Sequence, residues 1–503
     1  MAGVMTQVAG ATVDTTDNLT LFSGLQKAFV VNGSILGVVD FANTKLTCSA
    51  LTTPPAKGDI LTQATSGAVM VVDFVTTAKT AIYGFTTTTA LFDITHTVSS
   101  NNAGATMNPS TFTPSAVAEG RTAPHWYPWT KYPGSVGDMP SKAYLGCFYR
   151  SRCVLSGNPA EPHAFYMARS GNPWDWTYAA NDAQSPYKDG LASAGQVGDI
   201  IRALIPRRDD YLVFGCNTST WILQGNPCEG GQLYPVDDNT GIYGGTAWCW
   251  DMAGNLWFWG SNGIYVMEGG QGRPVCKSIV PLPRLVKDEA ADPSTHRICF
   301  GLDPVRGGIV ISITILATGV NSCYWYDTHT DGFFPEIYPA LSGAYSLLNF
   351  QANDPDDRGL IAGCTDGYIR TWDDTAKSDD VGITTQAIDS KVILGPIPAD
   401  PKSLAPAMIT DVHVETSGGT TGGSESDSSP VTVKLFAAET AEEVLENAAT
   451  GTPNIATTSR PIGPRVSKNN YHLGGRYFGV ELQNNTIAQS WAIENVLLNE
   501  GKK

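Results

Sequence analysis

A repeated hairpin constrains the fold of this 503-residue chain more than any other feature: an apolar run, a Gly-polar turn and a second apolar run. Good copies read YLVFGCNTSTWIL at 211–223, LWFWGSNGIYVM at 256–267 and LIAGCTDGYIRTWD at 360–373, with a fainter YLGCFYRSRCVL at 144–155. Their turn glycines are Gly146, Gly215, Gly260 and Gly363, separated by 69, 45 and 103 residues. The last step is about two units of a blade period of roughly 40–50 residues. The gap holds another hairpin candidate, Gly308–Ile315 followed by Cys323–Tyr326. An isolated hairpin cannot bury both of its faces in water, so neighbouring units must cover it. The expectation is an all-β chain built on a β-propeller of about six blades stacked face to face.

Composition agrees. Charged residues make up 16%, below the roughly 25% of ordinary globular chains, and 52 Gly with 31 Pro take their place. This excludes coiled coil and disorder and favours many short strands and turns. With 48 acidic and 32 basic residues the net charge is −16, which repels a phosphate backbone rather than gripping it. No apolar stretch approaches 18 residues, and Met1–Gln7 lacks the basic and apolar regions of a secretory signal. A soluble protein made in a cytoplasm, without membrane insertion, is therefore expected. The ten cysteines are scattered with no two-residue spacing and read as buried free thiols.

Along the chain, residues 1–44 supply the first propeller strands, around the Asn32-Gly33 turn. Residues 45–110, Thr-rich, read as a small inserted β domain, and 111–375 as the propeller proper. Residues 376–503 read as an antiparallel β-sandwich with long loops. Within it, Thr416–Pro430 is a Gly/Ser link, Ala441–Ala448 invites a helix and Asn447–Asn470 is nearly strand-free.

No residue set stands out as catalytic, cofactor-binding or metal-binding; the expectation is a chain that is not an enzyme and carries no cofactor. Trp248 and Trp250, and Trp257 and Trp259, alternate at period two; a sugar platform would want them exposed, a blade would bury them. The pairs Asp209-Asp210, Asp237-Asp238, Asp356-Asp357, Asp373-Asp374 and Asp379-Asp380 sit beside turn signals. Adjacent strand residues point to opposite faces, so such pairs do not make the facing carboxylates of a glycosidase. The Ser-x-Asp-x-Gly-x-Thr-Trp box of sialidase-type propellers is absent, Ser170–Trp176 being the nearest text. Asp327–Gly332 is an imperfect calcium loop, with His329 at its third position. The seven histidines show no metal-ligand spacing, and there is no Gly-x-Ser-x-Gly elbow or phosphate-binding loop. Arg150, Arg152, Arg207 and Arg208 form clusters too small for a nucleic-acid groove and read as salt-bridge partners.

Two resemblances follow from these residues. Asp366–Asp373 resembles the third strand of a WD40 blade, but without its Gly-His partner, so it supports a blade and not that family. Gly171–Trp176, the Ile200–Pro206 strand leading into Tyr211–Phe214, and Trp221–Gly225 together resemble the propeller core of tail hub or nozzle proteins of short-tailed bacteriophages. Gly241–Tyr243, Asn255–Trp259, Gly263–Tyr265, Gly475–Phe478 and Trp491–Ile493 extend the likeness, which covers roughly residues 120–375 and, more weakly, the C-terminal strands.

The resemblance implies a virion protein of the tail, assembled in the host cytoplasm as a homo-oligomeric ring, commonly of six copies. Its implied partners are the portal or adaptor, the tail fibre or spike proteins, and passing DNA held weakly and without sequence preference. Acidic composition suits a conduit that must not bind its cargo. Two other classes stay open: a glycan-binding or glycan-cleaving propeller, and a monomeric peptide-binding scaffold.

Overall fold

The computed structural model describes residues 17–501 apart from 41–43, 57–58, 77, 102–106, 120–124, 132–134, 190–194, 261–262, 278–291, 293, 356–357, 374–375, 382–383, 404, 418–427, 451–454 and 463–465. The chain is all-β, with one α-helix among the described residues. It divides into two compact units, Met1–Ser294 and Thr295–Lys503.

The first unit holds four consecutive four-stranded antiparallel sheets with the strand order of propeller blades. Blade 1 comprises Thr20–Gly24, Lys27–Val31, Leu36–Asp40 and, from beyond the insertion, His125–Pro128. Blade 2 comprises Leu145–Tyr149, Arg152–Asn158, Glu161–Met167 and Tyr187–Lys188. Blade 3 runs through Ile201–Arg207, Tyr211–Cys216, Thr220–Gln224 and Gln232–Asp237, and blade 4 through Trp248–Trp250, Leu256–Gly260, Gly263–Met267 and Val275–Cys276. The repeated text is thus the hairpin of neighbouring strands within a blade: 211–223 and 256–267 each supply the second and third strands of theirs.

Blades 2 and 3 are apolar on both faces because each is covered twice. All six residues of Tyr211–Cys216 are buried: Leu212, Phe214 and Cys216 pack toward blade 2, and Tyr211 and Val213 toward blade 4. Glycines set how closely the blades approach. A Cβ on Gly146 would lie 2.3 Å from the Phe22 ring, and one on Gly24 equally close to Phe148. The first strands of blades 1 and 2 therefore seat an aromatic ring on each other's glycine. Gly215 gives way to Ile242 in the same manner.

The insertion between the third and fourth strands of blade 1 is one seven-stranded sheet with its own core, including Leu46, Leu61, Met70, Val72 and Ile82. It runs from Thr44 to Glu119, because Ala116–Glu119 pairs with Thr44–Thr47. Residues 111–119, read above with the propeller, therefore lie inside it; only the pairing partner, not local composition, reveals this. The sheet is bound to the blades by a buried ion pair between Lys27 and Asp73 and by Phe74, whose ring centroid is 5.6 Å from that of Trp174.

In the second unit, His296–Asp303, Gly308–Ile315, Asn321–Asp327 and Gly332–Glu336 form blade 5, and Ala344–Phe350, Gly359–Cys364 and Ile369–Thr371 form the three-stranded blade 6. They pack through Val310, Cys323 and Leu360, and Gly301 of blade 5 lies against Leu347 and Leu360. A sandwich follows. One sheet takes Ser390–Pro398, Tyr477–Asn484, Val431–Ala438 and Ile455–Ile462, the other Val466–Gly475, Ala407–Thr416 and Ile493–Glu500.

Helix Ala441–Thr450 lays Val444 and Ala448 on the first sheet of the sandwich. The segment 447–470, expected to be nearly strand-free, contains two strands. Alternation is hidden there by polar outward residues such as Lys468, Asn470 and His472, while Tyr471 and Leu473 face the core. Most of the Gly/Ser link, 418–427, lies outside the described residues.

Gly146→Val is expected to lower stability by about 2–3 kcal/mol, because the Phe22 ring cannot recede, whereas Gly244→Ala, with open space around it, should stay within about 0.5 kcal/mol. Thermal and urea unfolding of the two variants measure this. Asp73→Ala leaves the Lys27 ammonium buried without its carboxylate and should cost about 3–5 kcal/mol, and Asp73→Asn less; equal losses for both would show that the charge is unimportant.

Candidate functional site

The hairpin turns at one end of blades 2, 3 and 4 converge on an open hollow of about 540 Å³ lined by Arg150, Asp209, Asp210, Tyr211, Gln224 and Gln271. The turn between the first two strands of blade 2 supplies Arg150. The corresponding turn of blade 3 supplies the aspartates, the end of its third strand supplies Gln224, and a 3-10 turn after blade 4's third strand leads to Gln271.

These loops are held by specific bonds. The Arg150 backbone N–H donates to Asp209 Oδ1 (2.8 Å) and its Nη1 to the Asp209 carbonyl (3.1 Å). The Tyr149 hydroxyl donates to the carbonyls of Asp210 (3.4 Å) and Gly225 (3.1 Å), and Tyr211 donates to the Gly269 carbonyl. Arg150 (φ 48°), Ser151 (φ 59°) and Arg208 (φ 49°) are all left-handed, in turns where Asn-Gly is the low-cost choice. Among the described residues, no protein group is hydrogen-bonded to the side chains of Asp210, Gln224 or Gln271.

The arginines singled out in the sequence are brought to this end of the blades, but not as ordinary salt bridges. Arg152 is buried, donating to the carbonyls of Ala168, Ser185 and Ala183; burial lowers its pKa from the ordinary value. Arg207 stacks on Trp250, its Cζ 4.5 Å from the ring centroid. Sequence reasoning missed Gln224 and Gln271; no local signal marks a lone Gln at a strand end.

The remaining candidates resolve as packing or turns. Trp257 and Trp259 are 4% and 1% exposed, and Trp248 and Trp250 are half-buried. Trp257 Nε1 donates to Asp251 Oδ2 (2.9 Å). Asp237 faces Arg273 (3.6 Å); Asp379-Asp380 lies in a short strand rather than a turn, with burial raising the Asp379 carboxyl. Asp356, Asp357 and Asp374 lie outside the described residues.

Asp327–Gly332 closes a hairpin, Asp327 accepting from the His329 backbone (2.8 Å) and the Thr330 hydroxyl (2.8 Å). No group of three metal-ligating side chains occurs among the described residues. Tyr166 donates to Glu161, which also pairs with Lys188 (3.2 Å). Burial and then the Glu161 bond push the phenol up to about 12. This is the reverse of what an activated nucleophile needs at neutral pH, so the cluster acts as a brace.

A second surface is apolar. On Ala344–Phe350 the exposed positions alternate and include Leu348 (57%) and Phe350 (44%). Ile361 and Ile369 lie on the same face by register, and Ile369 is 52% exposed. An outward strand face ordinarily carries polar residues there.

No family model and no curated protein matches this sequence. Among solved structures it is similar to an extracellular domain assigned to a one-component system of B. thetaiotaomicron, with TM-score 0.32 and 9% identity over 65% of this chain and 39% of that one. It is also similar to the exo-beta-1,3-galactanase of Phanerochaete chrysosporium, with TM-score 0.27 and 10% identity over 90% and 100%. The tricorn protease gives TM-score 0.28 and 11% identity over 71% and 38%. The chain spans less than half the length of the two B. thetaiotaomicron structures that it matches first. Likeness at this level carries no inference about function.

Because the native state favours the protonated phenol, the stability contributed by Tyr166 is complete below the ordinary tyrosine pKa near 10 and is lost as the pH rises toward about 12. Absorbance titration of folded protein should show several late tyrosine steps, since burial also raises Tyr178, Tyr243 and Tyr338, and Tyr166→Phe should remove one phenolate equivalent from them. Complete ionisation with an ordinary midpoint would contradict this placement.

Proposed function

We propose that this chain is a structural, ring-forming component of a virus particle, of the tail hub or nozzle type that its blade residues resemble. The observation that carries the reading is the outward apolar face of blade 6, with Leu348, Phe350 and Ile369 each more than two-fifths exposed. A face of this kind is suited to contact with another protein surface. The net charge of −16 supports it further, since an acidic wall lets duplex DNA slide. In this role the blades act as a rigid scaffold, and no chemical step is required of them.

A second reading, a glycan-binding propeller, is favoured by one observation, the polar hollow at Arg150, Asp210, Gln224 and Gln271.

Sedimentation of the purified chain separates the first reading from a monomeric one. A single closed oligomer is expected, reduced to monomer in Leu348→Asp/Phe350→Asp, whose exposed positions leave the core of the blade intact. A wild-type chain that stays monomeric at high concentration, or a double variant that assembles normally, would contradict the proposal.

A further inference from the structure

We propose that the hollow at the turn end of blades 2, 3 and 4 binds a neutral saccharide through its hydroxyl groups, with Asp210, Gln224, Gln271 and the Arg150 guanidinium as the hydrogen-bonding set. The inference rests on the glycan-binding reading and specifies its site and ligand class.

Three features point the same way. The first is donor and acceptor balance. Two carboxamides each offer both functions, Asp210 offers acceptors and Arg150 donors. A sugar ring presents vicinal hydroxyls, each both donor and acceptor, so planar side chains of this kind can engage two neighbouring hydroxyls at once. Asp210, Gln224 and Gln271 are also the lining side chains without a protein hydrogen bond among the described residues, and so are free for a ligand.

The second is charge. Two carboxylates, Asp209 and Asp210, face one guanidinium in the lining, which disfavours phosphate, sulfate and uronate ligands and leaves neutral polar ones.

The third is preorganisation. Asp209 is committed to holding Arg150, and the Tyr149 and Tyr211 hydroxyls fix the loops on either side. Left-handed Arg150, Ser151 and Arg208 border the hollow in conformations that cost backbone energy. Loops fixed before binding lose little entropy on binding, which matters most for a weak, hydroxyl-rich ligand. The volume of about 540 Å³ falls in the range of small-ligand sites, and its openness suits a sugar unit of a longer chain rather than a fully enclosed molecule.

The test is titration calorimetry and saturation-transfer NMR of the full chain against malto-, cello-, laminari- and mannohexaose, with heparin hexasaccharide as the anionic arm. At least one neutral hexaose should bind. Gln224→Ala and Gln271→Ala should each weaken it about fivefold to tenfold, the scale of one or two neutral hydrogen bonds, with unchanged circular dichroism. Leu348→Asp, remote in sequence and on another blade, should leave it unchanged. Neutral binding that ignores both Gln variants would overturn the hollow as the site while leaving the glycan reading standing. Preference for heparin would overturn the ligand class. Absence of binding to any of the sugars would overturn both the site and the glycan reading.

Discussion

The first unit depends on burial of blades 2 and 3 by their neighbours on both faces. A hairpin such as 211–223 is apolar at consecutive positions rather than alternate ones, and such a strand is stable only between two covers. Close approach then becomes the controlling quantity. Phe22 resting on Gly146, Phe148 on Gly24 and Ile242 on Gly215 show how it is met: a residue without a side chain receives a large one.

The ends of the blades carry the cost of this architecture. Lys27, Arg152, Arg207 and Arg306 sit at or beside the turn after a blade's first strand, and each cation finds a different compensation. Lys27 uses the Asp73 carboxylate, Arg152 a cage of carbonyls and Arg207 the face of Trp250. Arg306 lies over Trp325 (4.0 Å) while bonding Asp303 (2.8 Å) and Glu336 (3.0 Å). Long, amphipathic side chains close the apolar blade ends while keeping a charged head satisfied. Arg150 departs from this pattern. Its backbone is pinned to Asp209, and its guanidinium lines an open hollow beside free carboxamides.

The strand content and the blade hairpins were legible in the sequence, because the repeat sets two apolar runs on either side of a polar turn; its glycines, expected in the turns, lie in the strands instead, and Gly146 and Gly215 make room there for Phe22 and Ile242. The boundary at 111 was not: Ala116–Glu119 has nothing in its own text that says it pairs with Thr44–Thr47. The strands after 455 were hidden for a related reason, since Lys468, Asn470 and His472 mark an exposed face and not a loop. The hollow was half legible. Arg150 and Asp209-Asp210 attracted notice as charges, yet their convergence with Gln224 and Gln271 depends on the order of blades, which no local pattern contains.

The proposed assembly role rests on an exposed apolar face on blade 6 and on an acidic surplus. The most direct measurement is electron microscopy of the purified chain, alone and with isolated virion tail proteins. The account predicts closed rings whose opening admits a DNA duplex, roughly 20 Å or wider, with Leu348, Phe350 and Ile369 at a subunit contact. Dispersed single copies in both samples, or rings in which that face remains open to solvent, would contradict it.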